Sequence, residues 1–179
     1  MARRATALLA LLLAAPLHAQ TFVDVIDPAG NPSLWGLEWV DGTLYATNTL
    51  GDEIITVDLA TGAVATVASL SFDPRGIAWD GTNWRVSTGF DSSSPMINTV
   101  DGTGAIVGSI PAPGELTHGL EIRGGTLLAA QAFPNPDAAI RALDPATGAL
   151  LGTIPFPETQ PGGVTFIDNN TIWATNVCA

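Results

Sequence analysis

The chain has 179 residues and a formal net charge of −11, with six Lys+Arg positions, all of them arginine, against 17 Asp+Glu. A surface this poor in cations cannot neutralise a run of phosphates, so nucleic-acid binding is excluded and adhesion to anionic lipid is disfavoured. The surplus of carboxylates favours solubility and leaves oxygen ligands for a hard cation.

The first segment reads as a secretory signal peptide. Arg3 and Arg4 supply the positive start, residues 5–15 an apolar stretch, and Ala19 a small residue before a cut at Gln20. The apolar stretch is too short to span a bilayer, and no other long apolar run follows. The expected location is therefore secreted or periplasmic, with residues 20–179 as one domain large enough for a core. Residues 21–26, TFVDVI, have the character of an outer strand with no earlier partner.

One phrase then occurs four times: GLEWVDGTLYATN from Gly36, GIAWDGTNWRVST from Gly76, GLEIRGGTLLAAQ from Gly119 and GVTFIDNNTIWATN from Gly163. The opening glycines stand 40, 43 and 44 residues apart. A period of this length built from short alternating strands predicts an all-β fold, a β-propeller of about four blade repeats, each of four antiparallel strands. Within each repeat the innermost strand runs from the glycine (36–40, 76–79, 119–122, 163–167). A tight turn rich in Asp, Asn and Gly follows, then the second strand (44–47, 84–88, 127–130, 172–175). The third strand ends in Asp58, Asp101 or Asp144, and a second turn leads to the fourth (64–70, 106–110, 149–154). Those three aspartates suit turn formation, their carboxylates accepting nearby backbone N–H groups.

The last repeat supplies two strands and then reaches Ala179. Three alternatives stay open: a piece of a longer five- to seven-bladed protein, a compact four-bladed ring with an imperfect last blade, or a ring completed by self-association through that blade. Cys178 is the single cysteine, so no disulfide forms within residues 1–179; it is an inert thiol, or it pairs with another chain or with a downstream segment.

The pairing of a GL.W.DGTLY.TN segment with an I..VD..TG.V segment resembles the exported bacterial propellers with YVTN-, NHL- and quinoprotein-like repeats. Residues 34–64 look similar to the glutamine cyclotransferase family, whose resemblance implies a five-bladed ring that cyclises N-terminal glutamine. That family carries a Glu between glycines at the start of its second blade, where this chain reads Asp73-Pro74-Arg75-Gly76. The GL..DG.LW style of repeat is also similar to streptogramin-lyase and gluconolactonase propellers. That resemblance implies a divalent metal, for which Glu38, Glu121 and His118 are the available side chains.

Aligning the repeats on one another locates a candidate site. Just before the repeat glycines stand Trp35, Arg75, His118 and Gly162; two residues after them stand Glu38, Ala78, Glu121 and Thr165. Innermost strands line a propeller's channel, so these positions should converge near its mouth. They vary in chemistry on a frame that does not, which is how a site on a repetitive scaffold looks. Arg75 could clamp a carboxylate, His118 could serve as base, and Glu38 with Glu121 could hold calcium or magnesium. Alternatively, Arg75 merely neutralises Glu38 or Glu121. Trp39, Trp79, Ile122 and Phe166 should fill the space between blades.

No nucleophile elbow, metalloprotease helix or phosphate-cradling loop is present, and no cofactor is evident. The leading expectation is an exported binding module for a small molecule, a peptide or a cell-surface protein. The alternative is a channel-mouth enzyme, either a metal-dependent lactonase or lyase or a glutaminyl cyclotransferase.

Overall fold

The computed structural model describes residues 27–30, 32–89, 94–114, 116–133, 138–156, 160–166 and 171–176. The expected signal peptide, the strand expected at 21–26 and Cys178 lie outside these residues. Among the described residues there are 14 strands and no helix, hence none long and apolar enough to cross a membrane.

Three four-stranded antiparallel sheets form in sequence order. The first comprises β1 (Leu34–Val40), β2 (Thr43–Asn48), β3 (Glu53–Val57) and β4 (Val64–Ser69). The second comprises β5 (Pro74–Trp79), β6 (Trp84–Thr88), β7 (Met96–Val100) and β8 (Ile106–Pro111). The third comprises β9 (Leu116–Arg123), β10 (Thr126–Phe133), β11 (Ala139–Leu143) and β12 (Leu150–Pro155). A fourth sheet has two strands among the described residues, β13 (Pro161–Phe166) and β14 (Ile172–Asn176). Each sheet is one blade, and β1, β5, β9 and β13 sit side by side as innermost strands. This is a partial β-propeller.

The turn chemistry acts as the sequence implied. Asp41 and Gly42 take φ of 48° and 84°, the left-handed pair that a two-residue hairpin needs to match strand twist. Asp58 Oδ1 accepts from the N–H groups of Ala60 (2.8 Å) and Thr61 (2.9 Å), and Asp144 Oδ1 does the same for Ala146 and Thr147. These bonds favour the ionised form and hold both carboxyls below their ordinary pKa.

The core lies between blades. Ile54, Ala68 and Leu70 of blade 1 meet Ile77, Trp84, Val86 and Val100 of blade 2. The Trp84 ring lies 4.7 Å from that of Tyr45 and 4.5 Å from that of Trp79. Blade 2 meets blade 3 through Ala78, Ile97, Ile110, Leu120 and Leu127. Blade 3 meets blade 4 through Leu128, Ala130, Ile140 and Val164, with Phe166 alongside.

Inner strands approach backbone to backbone, and the repeat glycines allow it. A Cβ on Gly36 would sit 2.5 Å from the Arg75 carbonyl oxygen, and one on Gly76 2.7 Å from that of His118. Gly119 is in the same position against Gly162. A hydroxyl then ties the first three blades together. Thr47 Oγ1 accepts from Gly36 N (2.8 Å) and donates to the Arg75 carbonyl (2.5 Å). Ser87 Oγ accepts from Gly76 N and donates to the Thr117 carbonyl, both at 2.8 Å. Replacing fully buried Ser87 with alanine strands a buried N–H and a buried carbonyl. We expect Ser87→Ala to cost about 2 kcal/mol in chemical denaturation, and a cost near zero would show that water replaces the hydroxyl.

Several expectations need correction. Pro74, Pro111, Pro155 and Pro161, all outside the expected strand ranges, are strand ends. A first or last strand position tolerates the missing N–H, so proline ends strands here without breaking them. The inner strands begin before the repeat glycine, at Leu34, Pro74, Leu116 and Pro161, and β10 runs on to Phe133. Trp39 does not fill space between blades. Among the described residues no blade packs on its side of blade 1, and the residue is 56% exposed.

Candidate functional site

A register break marks each inner strand at the repeat glycine. It falls between Leu34 and Leu37 in β1, between Pro74 and Ile77 in β5, between Pro161 and Val164 in β13, and opposite Ala129–Gln131 for β9. Residues three apart on an unbroken strand face opposite ways. The extra residue of the bulge lets the side chain before the glycine and the side chain two after it both reach the channel. A lone glycine inside a strand pattern is the signal from which these bulges are readable.

The upper layer brings together Trp35, Arg75 and His118. The Arg75 guanidinium carbon lies 4.0 Å above the Trp35 ring, and the Trp35 and His118 ring centroids are 5.2 Å apart at a 50° tilt. Arg75 Nη2 pairs with Asp73 Oδ2 at 3.2 Å. The expected neutralisation of Glu38 or Glu121 by Arg75 thus gives way to an ion pair with a carboxylate two residues earlier, and this holds the guanidinium over the indole. Sequence reasoning missed Asp73; its position two before Arg75 is the available signal.

His118 is 6% exposed; the Pro161 carbonyl approaches its ring, but neither nitrogen reaches good hydrogen-bond geometry among the described residues. Burial, and then the charge of Arg75, push its pKa below the ordinary 6.5; the Pro161 carbonyl pulls the other way with less effect. The imidazole is therefore neutral at neutral pH, with one donor and one acceptor to offer.

The lower layer holds Glu38 and Glu121, which line a second cavity of about 310 Å³ with Leu37, Trp39, Leu44 and Thr165. Burial pushes Glu38 from 4.5 up to about 7, the charge of Glu121 adds to this, and a hydrogen bond from the Trp79 backbone opposes it. Glu121 is also raised by burial, but a hydrogen bond from Thr165 and the charge of Arg123 hold it back. Glu121 therefore ionises first, and its charge falls on Glu38. Ala78 and Gly162, the remaining members of the aligned sets, bring no functional group. Among the described residues no group of three or more His, Cys, Asp or Glu gathers to hold a metal. Two carboxylates make a poor donor set for calcium, which takes six to eight oxygens.

At the ends of the second strands, Asn48 Oδ1 accepts from Ser33 N, and Thr88 Oγ1 accepts from Met96 N. Gln131 Oε1 accepts from Arg141 Nε. These side chains fasten backbone and neighbouring strands.

No protein-family model matches the sequence, and no curated protein matches it. Solved structures do. Glutaminyl cyclase of Myxococcus xanthus superposes with a TM-score of 0.61 at 21% identity, over 82% of this chain and 69% of that one. The computationally designed Ika4 protein gives 0.51 at 15% identity, over 87% of this chain and 99% of that one. A protein of unknown function from Bacteroides caccae gives 0.54 at 11% identity, over 78% of this chain and 51% of that one. At these identities the likeness is one of fold: the chain is similar to these proteins as a sheet-repeat structure of propeller type.

Proposed function

We propose that the protein is an exported propeller that binds a small molecule or a peptide end at the mouth of its channel. The observation that carries this reading is the convergence of Trp35, Arg75 and His118 from three different blades on one spot. A purely structural frame would not need a buried imidazole with neither nitrogen in a well-formed hydrogen bond among the described residues, because a poorly paired buried polar group costs stability. Preformed pockets with a few convergent polar groups are where ligands bind. A panel of small molecules and short peptides, followed by amide chemical shifts, tests it. The expected result is a ligand whose affinity falls at least tenfold in Trp35→Ala; the reading fails if every compound that binds does so equally well to that variant.

A second reading is favoured by one observation, the carboxyl of Glu38 lifted to about 7 in a partly enclosed cavity. A group titrating there can accept and return a proton near neutral pH, as general acid–base catalysis requires. The fold shared with a glutaminyl cyclase suggests the substrate to try first. Cyclisation joins the terminal amine to the side-chain amide carbon and expels ammonia, so one group that takes a proton and returns it can serve both halves. Ammonia release from glutaminyl peptides that disappears in Glu38→Gln supports this reading, and no release from the wild-type protein sinks it.

A further inference from the structure

The seam between blades 2 and 3 carries a charge at a place where the neighbouring seams are apolar. Tyr45 stands across from Glu38 and packs between blades 1 and 2; Leu128 stands across from Glu121 and packs between blades 3 and 4. The equivalent residue of blade 2, across from Ala78, is Arg85. Its Nε donates to Asp80 Oδ2 at 3.0 Å, and its Nη1 donates to Thr99 Oγ1 at 2.6 Å and to the Pro145 carbonyl of blade 3 at 3.0 Å. These bonds fix a guanidinium whose side chain is 15% exposed. Nη2 has no partner among the described residues. A clamp alone does not require a charge here, since an uncharged donor reaches a carbonyl without the cost of drawing a guanidinium out of water.

Arg85 lines a depression of about 530 Å³ between these two four-stranded blades. It lies at the turn ends of β5 and β9, whereas Arg75 and His118 stand at the starts of those strands. Its charged side chains are Asp80, Arg85 and Arg123, which leaves one positive charge in excess on a chain of net charge −11. Asp80 is spent: Oδ1 accepts from Thr82 N at 2.9 Å and Asn83 N at 2.8 Å, and Oδ2 accepts from Arg85. Arg123 has no carboxylate in ion-pair range among the described residues; it acts on Glu121 only as a nearby charge, and its guanidinium carbon lies 5.7 Å from the Phe166 ring. Trp79, held 4.5 Å from Trp84, forms an apolar wall with Ile122 and Pro145. Gly124 and Gly125 keep the entrance open, since a Cβ on either would meet nothing within 4 Å.

We propose that this depression binds a monocarboxylate with an aromatic body, the carboxylate held by Arg123 and the Nη2 group of Arg85 and the ring lying against Trp79 and Ile122. Planar guanidinium groups match a carboxylate in shape and charge, and such hydrogen bonds are about twice as strong as neutral ones. One excess positive charge suits one carboxylate. A phosphate dianion brings more negative charge than the site neutralises, and the acidic surface around it opposes the excess. The apolar wall selects the ring. This site stands apart from the channel mouth and does not depend on the reading given for it.

The test uses 3-phenylpropanoate as probe and 3-phenylpropanamide, its uncharged counterpart, as control. Each is titrated into the full protein while the indole N–H of Trp79, the guanidinium signals of Arg85 and the amides of Gly124 and Gly125 are followed. The carboxylate should bind about tenfold more tightly than the amide, the worth of a hydrogen bond to a charged group. It should shift the Arg85 signals, and the amide should not. Arg123→Gln should weaken the carboxylate about tenfold and leave the amide unchanged. Arg123→Lys, which keeps the charge and loses the planar fork, should restore part of that loss. Because Arg123 is exposed, its variants test the contact without endangering the fold. Equal affinity for the amide, unchanged affinity in Arg123→Gln, or no binding of the carboxylate overturns the assignment and leaves the channel-mouth reading standing. Signals that move at Trp35 and His118 instead of Trp79 and Gly124 overturn it as well, and support the channel mouth as the place where such a compound binds.

Discussion

Gly36→Ala should lower the unfolding free energy by about 3 kcal/mol, while Gly163→Ala should change it by less than about 1 kcal/mol. The two glycines occupy the same place in the repeat, so intrinsic strand preference cancels in the comparison. The difference is what lies above them. The added methyl at Gly36 would sit 2.5 Å from the Arg75 carbonyl oxygen and 2.8 Å from Ile77 N, both backbone atoms of a strand fixed on its other side by blade 3. Backbone cannot rotate away as a long side chain can, so the two blades must part, and the Thr47 bridge to the Arg75 carbonyl lengthens with them. At Gly163 the methyl meets one hydroxyl at ordinary contact distance. Chemical denaturation of the two variants measures the difference. A similar loss at both sites would mean that backbone also packs on Gly163 in solution, and similar tolerance would mean that the blades are not backbone-packed.

This contrast also shows what the sequence could and could not convey. The four glycines and the Asp-bearing turns were legible because each has a local physical cause: close backbone approach in one case, side-chain capping of a turn in the other. The proline positions were legible only as punctuation. A proline marks where a strand can end, but whether it is the last strand residue or the first loop residue depends on pairing that the sequence does not print. Trp39 was misjudged because its alignment with Trp79 carries the pattern of an interblade residue. Burial needs a neighbour on that side, and among the described residues one lies beside Trp79 but none beside Trp39.

The candidate site was legible as a set of positions and not as a set of interactions. Aligning the repeats gathered Trp35, Arg75, His118, Glu38 and Glu121, and the fold does bring them to the channel in two layers. The pairing within that set could not be read. Arg75 is paired with Asp73, a neighbour on its own chain segment, while Glu121 has Thr165 and the charge of Arg123, so Glu38 faces the charge of Glu121 without Arg75 to offset it. The bulges that turn both layers inward are likewise invisible to a period-two reading, which would place residues 35 and 38 on opposite faces.

Glu38 leads to the second large effect. Glu38→Gln should stabilise the protein by about 1–2 kcal/mol at pH 8 and leave its stability at pH 4 almost unchanged. The sign follows from proton binding. In the folded protein Glu38 titrates at about 7, above its ordinary 4.5, so between these values the folded state holds a proton that the unfolded chain has released. Stability therefore falls as pH rises through that window, and it is fully present only below the unfolded value. The whole displacement would correspond to about 3.4 kcal/mol; the carboxyl is partly open to water, and screening reduces this to about 1–2 kcal/mol. Glutamine copies the shape of the protonated acid and can still accept from the Trp79 backbone, so it keeps the low-pH state and removes the penalty above it. Denaturation midpoints of wild type and variant between pH 4 and pH 8 give the result directly. Parallel curves would show that Glu38 is solvated and that Glu121 does not act on it. Curves that converge at pH 4 and separate above pH 5 would establish an ionisable carboxyl held against its own solvation at the channel, the property that an acid–base role at that position requires.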